Sequence, residues 1–205
     1  MPSRSERQMK KTRKGQGSNI GDMKRFADTF NKVWYKDFPI SKKIMDSGAA
    51  DWTHHIGTCV RRAAHRLGYF ARFEVGKFDA AITKISDGDR IANVEWEWME
   101  PGKHTKETPF NEVKKLKTKC EDVHFSVLIT WSREDKHKTN LKKICKQWKT
   151  CTKPLLLFVL RFGKEKRGGG RSRAERLEKL ETRVVTKGIS KSLGEQKPFP
   201  WKALE

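Results

Sequence analysis

The sequence predicts a mixed α/β fold in which helices flank one central sheet. Apolar residues alternate with polar ones along three successive strands between residues 70 and 98, and Asp87-Gly88 is a strong turn signal between the second and third. Two later segments, HFSVLITW and PLLLFVLRF, are almost continuously apolar, which is typical of strands buried on both faces. Segments with helical spacing lie between and around the strands. Together these patterns indicate a sheet covered by helices.

The composition limits the class of protein and its partners. The 205 residues fit one domain, and 46 Lys and Arg against 25 Asp and Glu give a formal net charge of +21. Such an excess favours nucleic acid as the partner, with an anionic membrane surface as the alternative. No apolar run is long enough to span a membrane, and the N-terminus lacks an apolar signal segment. We therefore expect an intracellular, cytoplasmic protein with reduced cysteines that is neither secreted nor membrane-bound.

The chain divides into three parts. Residues 1–21 are rich in Arg and Lys and almost free of apolar groups, which predicts a disordered basic arm. Residues 22–186 are expected to form the single folded domain. Residues 187–205 combine Gly, Pro and Lys without periodicity, so we expect an irregular tail.

Helical spacing of apolar residues predicts the elements around the strands. Two helices are expected before the first strand and three after the hairpin: residues 21–38, 50–69, 110–120, 133–150 and 174–185. The last of these predictions depends on Leu177, Leu180 and Val184, which give the segment an amphipathic pattern.

Three carboxylates occupy unusual positions on the second and third strands. Glu95 and Glu97 project to one side of the third strand, with Trp96 and Trp98 on the other, because side chains alternate along a strand. Asp79 lies where the second strand should face the core. Buried carboxylates are costly unless a proton or a cation neutralises them. Two interpretations stay open: a solvent-facing strand edge paired with basic residues, or hard oxygen ligands for Mg²⁺ or Mn²⁺.

An acidic centre within a basic chain is the pattern that a metal-dependent nuclease needs. A divalent cation held by carboxylates polarises a phosphoryl oxygen and activates water for attack on phosphorus. The surrounding charge of +21 would attract a phosphodiester backbone, DNA being the expected partner. The basic residues that we expect to contact nucleic acid are Lys77, Lys114, Arg167, Arg171 and Arg173.

Six pieces of sequence between residues 52 and 131 occur in a recognisable order. They are a helix ending in HRLGY, a strand with Phe73-Glu74, the strand FDAAI, then VEWEW, a helix with EVKKL and the strand VLITW. In this order they resemble the PD-(D/E)XK, or restriction-endonuclease-like, nuclease superfamily. The resemblance implies a restriction-endonuclease-like core and Mg²⁺- or Mn²⁺-dependent cleavage of DNA. It also implies that Asp79 and Glu95 are metal ligands, with the Trp96 carbonyl as an additional one.

The last position of the motif, residue 97, departs from the usual pattern of that superfamily. It is usually Lys, whereas this chain has Glu97, similar to the ExE form found in a minority of restriction endonucleases. The resemblance gives Glu97 the role of base or extra ligand. The missing ammonium is expected from another lysine, and Lys115 is favoured over Lys77 and Lys114. Further candidates for the site are Asp51, His54, His55 and Glu74.

Two other functions stay open at the level of sequence. A nuclease-fold module could bind nucleic acid or a protein partner without cleaving, and Glu97 in place of lysine favours that alternative. A basic structural protein, such as a ribonucleoprotein component, would have no need of the carboxylates. Two copies of the chain could also pair to cut both strands of a duplex, so a homodimer is a further alternative.

Overall fold

The computed structural model describes residues 20–34, 49–97, 111–164 and 175–197. Within these ranges, seven strands form one mixed sheet and four α-helices flank it. The predicted α/β class with a central mixed sheet is therefore confirmed. Of the predicted basic arm, residues 1–19 lie outside the described ranges, and residues 20 and 21 begin the first helix. No helix in the described ranges is long and apolar enough to cross a membrane.

The helices and strands alternate only in the middle of the chain. The helices are α1 (residues 20–34), α2 (Ala49–Arg66), α3 (Asn111–Lys117) and α4 (Glu134–Trp148). The strands are β1 (Tyr69–Val75), β2 (Phe78–Lys84), β3 (Arg90–Trp96), β4 (Phe125–Arg133), β5 (Leu155–Lys164), β6 (Glu175–Thr186) and β7 (Ile189–Gln196). They lie in the sheet in sequence order. The β3–β4 and β4–β5 pairs are parallel, and the other neighbours are antiparallel.

Strand β5 lies between two apolar layers. Leu156 and Phe158 belong to the cluster under α1 and α2, and the ring of Phe158 lies 4.2 Å from that of Phe30 on α1. Leu155 and Leu157 belong to the cluster under α3 and α4. Each such side chain contributes roughly 1.5–3 kcal/mol when it leaves water. The continuous apolar run therefore predicted correctly a strand that is buried on both faces.

The β2–β3 hairpin forms at the predicted turn. Gly88 has a φ of 74°, a conformation that glycine adopts without strain, and the Lys84 amide donates a hydrogen bond to the Asp89 carbonyl at 2.9 Å. Ala80 pairs with Val94 in the antiparallel register. This register places the start of β2, where Asp79 lies, beside the end of β3.

The helix predicted at residues 174–185 is wrong, because this segment forms most of β6. The β5–β6 ladder shifts register at Glu178, which leaves one residue of β6 without a direct partner. Such a bulge puts Leu177 and Leu180, three residues apart, into the same core. The three-residue spacing of Leu177 and Leu180 therefore resembles the apolar stripe of a helix.

The irregular tail predicted for residues 187–205 is also wrong over much of its length. Residues 189–196 form β7, an edge strand antiparallel to β6. Lys187 and Gly188, with φ values of 50° and 79°, form the two-residue connection, as a tight hairpin requires. Lysine seldom takes this conformation, and β7 is largely exposed, so the sequence carries neither a turn signal nor apolar alternation. Residues 198–205 lie outside the described ranges.

Candidate functional site

The predicted carboxylates meet where the parallel part of the sheet begins. Glu95 lies near the carboxyl end of β3 and is 0% exposed, and Asp79 lies half-buried on the antiparallel neighbour β2. The Trp96 amide donates a hydrogen bond to Asp79 Oδ2 at 2.8 Å, which fixes this carboxyl against β3. The two carboxyls are close enough for the charge of Asp79 to act on Glu95. The structure thus brings both predicted metal ligands together.

Lys115 reaches this pair from α3. Its Nζ donates a hydrogen bond to Glu95 Oε2 at 2.7 Å. Val113 and Leu116 are fully buried and anchor the inner side of α3, and Lys115 projects from the flank of that apolar stripe. The lysine that the sequence favoured therefore lies beside Glu95. Lys114, the residue before it on the helix, is exposed.

Glu112 is a fourth carboxylate at the site, and the sequence analysis missed it. It lies in the first turn of α3, half-buried, and its carboxyl interacts with that of Glu97 just past the end of β3. Glu112 and Lys115 are three residues apart, so they share one side of the helix. That spacing, next to the buried Val113, is the signal that could have revealed Glu112.

Burial dominates the electrostatics of the cluster. It raises the pKa of Glu95 to about 8, although the hydrogen bond from Lys115 opposes the rise and the charge of Asp79 adds to it. Burial also raises the pKa of Asp79 and that of Glu112. Burial disfavours the ammonium of Lys115, but the hydrogen bond to Glu95 and the negative charges around it together outweigh that effect, so the pKa of the lysine is raised. The cluster therefore retains protons that exposed groups would release.

The donor chemistry of the cluster fits a hard divalent cation. Glu95 Oε1 is buried and has no hydrogen-bond partner, so one oxygen of this carboxyl is free to accept a ligand. In the present side-chain positions, no group of three or more His, Cys, Asp or Glu among the described residues is arranged to hold a metal ion. Asp79 and Glu95 are the residues that would hold Mg²⁺ or Mn²⁺, with Glu97 and Glu112 at the rim.

Two further polar side chains lie on the same face of the sheet as Glu95. Asn93 precedes Glu95 by two residues on β3, and Ser126 is its register partner on β4. Both are 0% exposed, and the amide atoms of Asn93 and the hydroxyl of Ser126 have no hydrogen-bond partner. Buried polar groups without a partner are rare in native proteins, so these two call for an explanation. Asn93 and Ser126 therefore continue the line of polar side chains that begins at Glu95 toward the interior of the sheet.

The other residues predicted for the site lie elsewhere. The ring of His55 packs edge-on against Trp34 at 5.3 Å between centroids, on the side of the sheet covered by α1 and α2. His54 is exposed on α2, Glu74 is exposed on the edge strand β1, and Lys77 is exposed in the β1–β2 turn. The Asp51 side chain and the residues Arg167, Arg171 and Arg173 lie outside what the structure describes.

Helix α4 presents a basic outer face. Its inner face is fixed by buried residues that include Ile144 and Trp148. The outer face carries the exposed lysines Lys136, Lys138, Lys142, Lys143 and Lys146, and no Asp or Glu occurs between residues 136 and 153. The helix begins directly after β4, which is parallel to β3. Since parallel strands end at the same edge of a sheet, α4 begins at the edge that holds the acidic site. Its first turn carries the exposed Glu134 and Asp135, and the lysines follow along the helix.

Comparisons with known proteins assign neither a family nor an activity. No family model matches this chain, and no curated protein matches it. Among solved structures, the chain is similar to the YaeQ protein from Xanthomonas axonopodis pv. citri, with 13% sequence identity and a TM-score of 0.30. The similarity covers 62% of this chain and 69% of that one.

Proposed function

We propose that this protein is a divalent-metal-dependent nuclease that hydrolyses phosphodiester bonds in DNA through Asp79, Glu95 and Glu97. The observation that carries the proposal is the 2.7 Å contact between Lys115 and Glu95, next to Asp79. Glu95 is buried and Lys115 is partly exposed, and the desolvation of a buried charge offsets much of the attraction in such a pair. A lysine directed at a buried glutamate beside a second carboxylate therefore favours a chemical role over a structural one.

The order of the elements supports a restriction-endonuclease-like core for this nuclease. Three antiparallel strands, a helix and a parallel strand follow one another from β1 to β4, as the resemblance implies. The acidic residues lie on β2 and β3, and the lysine lies on the helix after them. This is the arrangement that the motif FDAAI…VEWEW…EVKKL implies.

Each residue of the cluster has a separate role in the proposed reaction. A divalent cation bound by Asp79 and Glu95 would supply electrophilic stabilisation to the scissile phosphate. Lys115 would stabilise negative charge that develops on the phosphoryl oxygens. Glu97 would accept the proton of the attacking water, as the ExE form implies. Glu112 adjoins Glu97 and would orient its carboxyl.

The charge distribution supports nucleic acid as the substrate. The formal net charge is +21, and α4, the helix that carries the basic face, begins at the sheet edge that holds the acidic site. A lysine that contacts a phosphate displaces condensed counterions, so such a face binds a backbone without reading its sequence. A DNA backbone attracted to this basic chain would then lie close to a cation held by the acidic residues.

A module that binds nucleic acid without cleaving it is the second candidate. The observation that favours it is the same ion pair, because Lys115 already neutralises one oxygen of Glu95. The described carboxylates also form no ready-made group of three around an ion. Such a module would bind DNA in a salt-sensitive manner and would take up no Mg²⁺.

Cleavage of supercoiled plasmid with Mg²⁺ or Mn²⁺ tests the proposal, with calorimetric titration of the metal as a second readout. We expect nicked or linear plasmid from the wild type, none from Asp79→Ala or Glu95→Ala, and wild-type cleavage from the exposed control Glu74→Ala. Cleavage by both site variants at the wild-type rate would refute the assignment of Asp79 and Glu95 to the site. Absence of both cleavage and metal binding, with DNA binding retained, would decide for the non-cleaving module.

A further inference from the structure

Two cysteine thiols lie in contact on the side of the sheet that α3 and α4 cover. Cys120 Sγ and Cys151 Sγ are 2.9 Å apart, although 31 positions separate the two residues in the chain. Cys120 begins the short 3-10 helix Cys120–Asp122 that follows α3, and Cys151 lies between α4 and β5. Both side chains are buried, at 5% and 2% exposure. Neither thiol belongs to the acidic site.

The segments that carry the two cysteines are already joined by other bonds. Glu121 Oε1 accepts a hydrogen bond from the Thr152 amide at 3.1 Å, and Glu121 Oε2 accepts one from the Thr152 hydroxyl. The Cys151 amide donates to the Trp148 carbonyl at 3.2 Å, which ties this residue to the end of α4. The residues next to each cysteine therefore hold the two thiols together.

We propose that Cys120 and Cys151 form a reversible disulfide under oxidising conditions. With oxidised glutathione as the oxidant, one cysteine thiolate attacks a glutathione sulfur, which gives a mixed disulfide and releases one glutathione thiolate. The second cysteine thiolate then attacks the protein sulfur of the mixed disulfide and releases the other glutathione. One S–S bond breaks and one forms, the protein loses two hydrogens as protons with two electrons, and two molecules of glutathione carry them away.

Cys120 follows α3, the helix that carries Lys115, so the disulfide would restrain the chain at the end of that helix. The proposal does not depend on the proposed nuclease activity. The disulfide would close a loop that contains β4 and α4 and would fasten the segment after α3 to the start of β5. Burial raises the pKa of both thiols, and for Cys120 the neighbouring Cys151 adds to the rise. Both are therefore protonated at neutral pH and exchange slowly, so the test must run to equilibrium.

The test uses the full chain in mixtures of reduced and oxidised glutathione, followed by alkylation of free thiols and peptide mapping. We expect one disulfide, between Cys120 and Cys151, with Cys59 and Cys145 recovered alkylated. We also expect Tm to rise by roughly 5–10 °C on oxidation, because the bond restricts the unfolded chain, and to return on reduction. Cys145→Ser should keep this shift, and Cys151→Ser should lose it.

Two outcomes would overturn the proposal. One is recovery of Cys120 and Cys151 as alkylated thiols after equilibration in excess oxidised glutathione. The other is a disulfide that joins either residue to Cys59 or Cys145. The peptide map of the unsubstituted chain decides between these results even if Cys151→Ser does not fold.

Discussion

Lys115 Nζ lies 2.7 Å from Glu95 Oε2, and this contact joins α3 to β3 at the acidic site. The two partners differ in access to water, since 40% of the Lys115 side chain is exposed and 1% of the Glu95 side chain is. Removal of the carboxylate leaves a lysine that can turn to solvent. Removal of the lysine leaves a buried acid next to Asp79 without its ammonium, which is the more costly change.

Replacement of Lys115 by methionine tests both the pairing and the proposed role of the ammonium. We expect plasmid cleavage to fall about 100-fold, as for loss of a group that stabilises transition-state charge. We also expect the free energy of unfolding at neutral pH to fall by about 1–2 kcal/mol, because buried Glu95 loses its partner. Cleavage kinetics and urea unfolding measure the two effects. Lys191→Met, at an exposed position on the edge strand β7, should change neither, and equal activity of the two variants would limit Lys115 to a structural role.

Replacement of Glu112 by glutamine tests the carboxylate that the sequence analysis missed. Its carboxyl is half-buried beside Glu97, so the neutral amide should remove repulsion and raise the free energy of unfolding without metal by about 1 kcal/mol. Mg²⁺ should stabilise this variant less than it stabilises the wild type, because binding to the folded state is weaker. Thermal unfolding with and without MgCl₂ measures both effects. Glu74→Gln is the exposed control, and a variant that behaves like it would place Glu112 outside the site.

Sequence predicted the residues of the acidic site only on the strands, where the alternation of side chains fixes the face on which each residue lies. Alternation along β3 put Glu95 and Glu97 on one face, and the hairpin register brought Asp79 beside them. Helix α3 has seven residues, and its two buried positions, Val113 and Leu116, are too few to fix from sequence which flank meets β3. Glu112 was therefore missed, although Lys115 on the same flank was expected.

The C-terminal half of the sheet shows a different limit of sequence analysis. Leu177 and Leu180 have helical spacing only because a bulge inserts one residue into β6. The ladder with β5 then overrides the local pattern, since a long-range partner supplies the hydrogen bonds and the apolar contacts. Information about that partner is absent from the segment itself, so the local pattern predicts the wrong element.

The basic face of α4 should govern the salt dependence of DNA binding. Neutralising Lys142, Lys143 and Lys146 to glutamine should weaken binding at low salt and reduce the slope of log K against log salt by roughly 2–3, about 0.9 for each phosphate that a lysine no longer neutralises. Fluorescence anisotropy with a labelled duplex over a range of salt measures this slope. The matched control neutralises Lys187, Lys191 and Lys197, which removes the same charge around β7. Equal slopes for the two triple variants would show that net charge, and not this face, binds DNA.

A second buried carboxylate, distant in sequence from the acidic site, joins α4 to the outer part of the sheet. Glu181 on β6 is 2% exposed, and its Oε2 lies 2.9 Å from His137 Nε2 on α4. Arg183 also pairs with this carboxylate, and Arg161 lies 3.8 Å from it. Burial opposes ionisation, but the close contacts with His137 and Arg183 together outweigh it and lower the pKa of Glu181 to about 2. Glu181 is therefore a stabilising anion in the folded state.

The lowered pKa of Glu181 predicts a loss of stability in acid. The unfolded chain takes up a proton near 4.5 and the folded state near 2, so the contribution of Glu181 is complete above pH 4.5 and is lost as the pH falls toward 2. That contribution is about 3 kcal/mol by linkage. Urea unfolding at several pH values should show Glu181→Gln less stable than the wild type at pH 7, with the difference shrinking below pH 4.5. Glu178→Gln, exposed on the same strand, should follow the wild type throughout; a constant difference between Glu181→Gln and wild type would show that Glu181 stabilises by packing and not by charge.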